Sequence, residues 1–301
     1  MLVHLVRPFF DACSRAKLWA NREPLMKSIV AAIDIETGTE TVLYEADRHL
    51  EAPNWTPDGE ALIVNGGGRL YRLPIDHPEL LEIGTGFAST LNNDHGLSPD
   101  GSMLAVSDGT ETGASCIYTL PVTGGVPRRI TLQTPSYWHG WSPDGETLAY
   151  VGKRPETDDT FQVFTIGVDG GDERQITHEF DHCDGPDYTP DGKWIWFNGE
   201  RSGSVQLWRV RPDGSDLQQM TQDERVNWFP HPSPDGRTIA YLAYEAGTAG
   251  HPANKMVELR LMSADGGPPH TLKSLFGGQG TLNVPSWAPD SKRFAYVRYE
   301  I

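Results

Sequence analysis

Pro53-Asn54-Trp55-Thr56-Pro57-Asp58-Gly59 decides the fold, because its second half recurs along the chain. The same Ser/Thr-Pro-Asp-Gly unit returns at Ser98–Gly101, Ser142–Gly145, Thr189–Gly192 and Ser233–Gly236, and a worn copy stands at Ala288-Pro289-Asp290-Ser291. Prolines 57, 99, 143, 190, 234 and 289 are therefore 42, 44, 47, 44 and 55 residues apart. Repeats of that length suit four-stranded propeller blades. Each residue has its own task in the turn. Proline sets φ at the first corner, aspartate accepts hydrogen bonds from nearby amides, and glycine takes the positive φ that closes the turn.

What surrounds each turn agrees. A β-rich run follows every copy: Ala61–Val64, Met103–Val106, Thr147–Val151, Trp194–Phe197, Thr238–Leu242 and Phe294–Val297. A second run comes next, such as Cys116–Leu120 or Val205–Trp208, then a Gly-rich or Asp-Gly turn and a short last strand such as Gln175–Thr177. Runs alternating with tight turns are the signature of antiparallel strands. The fold expected is all-β, a six-bladed β-propeller of four-stranded antiparallel blades.

Only one strand follows the sixth turn, while Ile29–Ile35 and Thr41–Tyr44 read as a third and fourth strand with no turn unit before them. The last blade should thus be closed by N- and C-terminal strands, two from each end, which leaves no free sheet edge. Residues 26–301 are assigned to the propeller. Residues 1–25 are assigned to an N-terminal extension, partly helical or disordered.

Composition narrows the function classes. With 38% hydrophobic residues, 9 Trp, 10 Tyr and 10 Phe, the chain can fill a large core and is not of the disordered class. The net charge of -16 repels phosphate backbones, so nucleic acid is not expected as a partner. It favours cations or a basic protein. Cys13, Cys116 and Cys183 form neither a disulfide framework nor a Cys-x-x-Cys metal knot. No apolar run approaches the roughly 20 residues of a membrane span. The first ten residues are interrupted by His4 and Arg7 and do not read as an export signal. The expectation is a soluble monomer, cytoplasmic by default.

The Pro-x-Trp-Ser/Thr-Pro-Asp-Gly pattern, seen best at Pro53–Gly59 and in Pro285-Ser286-Trp287-Ala288-Pro289-Asp290, resembles the propeller repeat of the TolB family. The resemblance spans about residues 28 to 301. It implies a module that binds other proteins within envelope complexes, with the periplasm as the alternative compartment. The chain departs from that family in showing neither the α/β domain that precedes the propeller nor an export signal.

Candidate functional residues come from where the repeat stops being uniform. The first strand of each blade lines the central channel, and the segments before four of the turns are rich in His and Asp. They read Asn92-Asn93-Asp94-His95-Gly96, Tyr137-Trp138-His139-Gly140, Asp181-His182-Cys183-Asp184-Gly185-Pro186-Asp187 and Asn227-Trp228-Phe229-Pro230-His231. His95, His139, His182 and His231, with Asp184 and Asp187, are expected at the channel mouth, where Trp138 and Trp228 offer stacking surfaces for a sugar or peptide. His95, His139 and His231 are also the candidate ligands of a divalent metal ion. His231 stands three residues before its proline, His95 and His139 four, so regular strands would turn His231 the other way. The long fifth-blade segment Glu245–Lys255 adds His251, Asn254 and Lys255 as a lip, and Phe276-Gly277-Gly278-Gln279-Gly280 adds Gln279.

No catalytic residue is assigned: the chain carries no Gly-x-Ser-x-Gly elbow and no phosphate loop. The expected function is a binding module for a protein, peptide, glycan or small ligand at the channel mouth. The alternative is a metal-dependent carbohydrate-active enzyme, by resemblance to the oligogalacturonate lyases with their channel histidines.

Overall fold

The computed structural model describes residues 26–301; the expected N-terminal extension, residues 1–25, lies outside them. Five four-stranded antiparallel sheets and one three-stranded sheet follow one another around a ring. The inner strands of the first five blades are Glu51–Trp55, Leu91–Leu97, Ser136–Trp141, His182–Tyr188 and Val226–Pro232. Each pairs with the β-rich strand that follows its Pro-Asp-Gly turn.

The turns explain why the repeat persists. Thr56 Oγ1 accepts the Ala61 amide at 3.0 Å, Asp58 Oδ1 accepts the Glu60 amide at 2.9 Å, and the Gly59 amide donates to Thr56 O at 2.8 Å. The other copies repeat this network, with turn glycines at φ of 68 to 74°. Gly101, Gly145, Gly192 and Gly236 each face the proline of the preceding turn, and Gly59 faces Pro289, so contacts between turns close the ring. The turn aspartates are structural.

Closure follows the expected clasp with one difference. Lys27–Asp34 sits between Glu40–Ala46 and the C-terminal strand Arg293–Glu300, pairing with the latter along its whole length. The innermost segment of this blade is not a regular strand. It is held by an isolated Trp287–Phe294 bridge and by the Ala295 amide donating to Ser286 O at 2.8 Å. The C-terminus therefore supplies one regular strand instead of two.

Core residues fill the spaces between neighbouring blades. Trp138, fully buried, packs its six-membered ring against Gly96 in the blade before it: a methyl group there would come within 2.1 Å of the indole. We expect Gly96→Ala to cost about 3 kcal/mol by overpacking, read as a lower urea midpoint. Gly84→Ala, whose new methyl meets nothing within 4 Å, should leave the midpoint unchanged or raise it slightly.

All five inner strands carry a register shift, at Glu51/Asn54, Leu91/His95, Trp138/Gly140, Asp184/Asp187 and Trp228/His231. Three bulges hold a residue at positive φ: Ala52 and Phe229 at 56°, and Gly185 at 59°. Bulges kink the strand and re-aim side chains. Strict alternation therefore fails in the segments the sequence singled out.

Candidate functional site

A cavity of about 260 Å³ opens at one mouth of the channel. It lies at the ends of the inner strands remote from the Pro-Asp-Gly turns, as the pairing of Ser136 with Gly152 shows for the third blade. Its wall consists of Asn92, Asp94, Tyr137, Val151, Phe161, His182, Asp184, Phe229, His251 and Gln279. Blades two to five supply nine of these, and Gln279 comes from the segment leading into the last blade.

Asp184 is the hub. Its Oδ1 lies 2.8 Å from His139 Nε2, and its Oδ2 lies 3.5 Å from His251 Nε2 and 3.9 Å from His182 Nε2. Oδ1 also accepts the Gly185 amide at 2.9 Å. The His139 contact is close but lies off the N–H direction, so it is a contact of charges rather than an aligned hydrogen bond. Burial alone would raise the Asp184 pKa, but the charge on His139, helped by His182 and His251, outweighs it and holds Asp184 well below the usual carboxylate range. Burial likewise opposes charging of His139, and Asp184 and Asp94 together overcome it, so the imidazole is raised above its ordinary value.

Asp94 has different company. It accepts hydrogen bonds from Asn92 Nδ2 at 2.6 Å and Asn283 Nδ2 at 3.2 Å, both neutral amides. Burial is the dominant influence and pushes its pKa up to about 6, against the attraction of His139 and His251. Neither lysine nor arginine lines the cavity.

The apolar part of the wall fixes the rings. His251 meets Trp228 edge-on at 4.4 Å between centroids and Phe229 at 5.3 Å; His182 meets Phe161 at 5.3 Å and Trp228 at 5.9 Å; His139 stacks on Phe229. Two glycines permit the close approach of the blades. A methyl on Gly140 would come within 2.8 Å of Pro186 O, and one on Gly185 within 3.0 Å of Phe229. His251 is delivered by the fifth-blade insertion, whose Pro252 carbonyl accepts Tyr244 Oη at 3.2 Å and the Gln279 amide at 3.4 Å. Gly278, at φ 106°, makes room for that carbonyl: a methyl there would strike it at 2.3 Å. His139, His182 and His251 each keep a buried ring nitrogen without a hydrogen-bond partner.

Of the residues singled out from sequence, His182, Asp184, His251 and Gln279 reach the cavity, and His139 and Trp228 support its wall from behind. Trp138 is core. Asp187 and His231 pair with each other across blades four and five, Nδ1 to Oδ2 at 3.0 Å. His95 turns toward blade one, with its ring nitrogens 3.1 Å from Asn93 O and 3.3 Å from Ile63 O, and burial lowers its pKa to about 4. Asn254 and Lys255 are exposed on the insertion. Sequence reasoning noted Asp94 only as a carboxylate beside His95, and passed over Tyr137, Val151, Phe161 and Phe229 as wall residues.

The three histidines suggested as metal ligands each have other partners. His95 and His231 are engaged by backbone carbonyls and by Asp187, and they do not converge with His139. Among the described residues, no group of three or more His, Cys, Asp or Glu is arranged to hold a metal ion. The His182–Cys183 neighbourhood is no nucleophile pair either: Cys183 is buried against Thr177 and Gln162, and burial pushes its thiol pKa far up. Among the described residues no helix is long and apolar enough to cross a membrane.

Comparison with known proteins agrees with the fold. Residues 139–253 match the TolB beta propeller domain family. The chain is 48% identical over 275 residues to an uncharacterized protein of Agrobacterium fabrum, covering 91% of this chain and 93% of that one. A solved structure from Agrobacterium tumefaciens, provisionally assigned as TolB, superposes with a TM-score of 0.89 at 48% identity, covering 92% of this chain and 99% of the other. The Tol-Pal system protein TolB of Francisella tularensis is 25% identical over 256 residues, 82% of this chain but 56% of that protein. The chain belongs to the TolB-like family of six-bladed β-propellers.

Proposed function

We propose that the chain is a binding module, and that its ligand is a protein or peptide side chain, or a free molecule of similar size, seated in the mouth cavity. The observation that carries this reading is the cavity itself. It is formed in advance by residues of four blades and of the segment leading into the last, and it combines two carboxylates, aromatic walls and ring nitrogens without partners among the described residues. Concave sites of mixed wall chemistry are where propellers and other rigid folds hold ligands. At about 260 Å³ it falls below the range for drug-sized molecules, so it suits one side chain or a small metabolite. The Tol-Pal assignment of the Francisella relative supports a protein partner, and with it the envelope-side compartment over the cytoplasmic default. The alternative of a metal-dependent carbohydrate-active enzyme needs an ion set that the described residues do not assemble.

The test is selection of peptides and small molecules against the wild type, followed by affinity measurement on Gln279→Trp, which plugs the mouth from a half-exposed position. Ligands of the cavity should lose at least about tenfold in affinity, the cost of roughly 1.4 kcal/mol. If every selected ligand binds Gln279→Trp as well as the wild type, the site lies elsewhere and the reading fails.

A further inference from the structure

We propose that the cavity selects an organic cation, a primary ammonium or guanidinium carried on an apolar body, with the charge seated against Asp94 and the body against Tyr137, Phe161 and Phe229. This rests on the cavity being the binding site and names what it binds.

The two carboxylates of the wall are not equivalent. Asp184 already has imidazoles within reach, His139 at 2.8 Å and His251 at 3.5 Å. Asp94 has amide donors only, Asn92 on its own strand and Asn283 from the inner segment of the last blade. A buried carboxylate with no cation in hydrogen-bond contact is unfavourable unless it ionises late or gains a partner; burial, with the Asp184 charge adding to it, raises the Asp94 pKa against the more distant His139 and His251. A ligand ammonium would supply the missing partner. One of its remaining N–H groups has an acceptor at hand in the buried His251 Nδ1, which has no hydrogen-bond partner among the described residues. An anion meets two carboxylates and no lysine or arginine. A neutral sugar could satisfy the hydrogen bonds but would leave Asp94 uncompensated.

The opposite wall suits the rest of such a molecule. Phe161 and Phe229 line it beside Val151, and aromatic rings attract cations as well as apolar groups. The chain's net charge of -16 would draw cations toward the mouth and repel anions.

Titration calorimetry at pH 8 with benzylamine, benzyl alcohol, benzoate and galactose tests the class. The pair acetyl-Gly-Lys-Gly-amide and acetyl-Gly-Gln-Gly-amide separates a peptide source from a free amine. We expect benzylamine and the lysine peptide to bind, and their alcohol, benzoate and glutamine counterparts to be undetectable. Asp94→Asn should weaken the amines roughly 10- to 100-fold, the span expected for a hydrogen bond to a charged group. Asp76→Asn, at an exposed acid away from the cavity wall, should leave them unchanged, which separates the site from a general pull of the acidic surface. Tighter binding of the lysine peptide than of benzylamine would assign the site to a protein partner, and the reverse to a small metabolite. If galactose or benzoate binds and the amines do not, cation selection is overturned while the cavity stands as the site. If amines bind equally well to wild type and Asp94→Asn, the charge assignment is overturned. If no probe binds and no selected ligand is sensitive to Gln279→Trp, the binding-module reading falls with it.

Discussion

Replacing Asp184 by alanine is expected to lower stability by about 3 kcal/mol at pH 6 and by clearly less at pH 9. The carboxylate is the counter-charge of His139 and lies beside His182 and His251, and removing one partner of a buried pair costs about 3–5 kcal/mol when the other keeps its charge. His139 can shed its proton, which limits the loss. The pH dependence follows from the two directions. His139 is raised in the folded state, so its contribution is fully present below about 6.5 and is lost as pH rises through the folded value. Asp184 is depressed, so its contribution is present above about 4 and is lost only as pH falls through that low value. The pair therefore stabilises the fold most between those limits. Urea midpoints of wild type and Asp184→Ala at the two pH values check this; equal losses at pH 6 and pH 9 would show that the charge on His139 is irrelevant.

Asp94→Asn should do the reverse and stabilise the fold at pH 8 by about 2 kcal/mol. The folded-state pKa of Asp94, about 6, exceeds the ordinary value near 4, so the folded protein holds this proton more tightly than the unfolded chain. Its stabilising effect is thus complete below about pH 4 and is lost as pH rises through about 6. At pH 8 the wild type carries a buried, ionised carboxylate that the asparagine variant lacks. The amide also fits. Asn283 Oδ1 has no partner at present, so a flip of that side chain would accept from the new amide nitrogen while Asn92 still donates to the new oxygen. Thermal unfolding should show a gain at pH 8 that shrinks as pH falls and vanishes only below about pH 4. A variant that gains stability and loses amine binding would mark Asp94 as a residue kept for its ligand at the expense of the fold. A loss of stability at pH 8 would place Asp94 among the structural acids, as the turn aspartates are.

Much of the candidate site could be read in advance because the repeat made its own exceptions visible. His182 and Asp184 stood out as departures from the plain Pro-x-Trp segment of blades one and six, and His251 and Gln279 lay in the insertion and the Gly-rich run that had no counterpart elsewhere. His95 and His231 stood out equally, yet one turns to a carbonyl of blade one and the other to Asp187. Spacing from the turn cannot tell these cases apart, because the bulges that separate them carry no uniform signal. Gly185 sits at positive φ in one, but Phe229 and Ala52 do so in others. Val151 lies on the second strand of blade three and Phe161 just before the third, and they reach the cavity because those strands rise to the mouth beside the inner one.

What the sequence by itself determined is everything that rests on local chemistry. Five turns of Pro, Asp and Gly, each satisfied by its own hydroxyl and amides, and a sixth worn copy set the blade count and the boundaries, and the strand surplus at one end required a partner at the other. Tertiary structure alone decided which irregular residues became a site. The wall of the cavity is assembled from segments as far apart as Asn92 and Gln279, and its character depends on how each bulged strand leans on the next. The difference between Asp184 and Asp94 is the clearest case: identical side chains on equivalent strands, one held ionised by imidazoles from neighbouring blades and the other left with amides. Charge, burial and distance across the ring made that difference, and none of them is a property of the repeat.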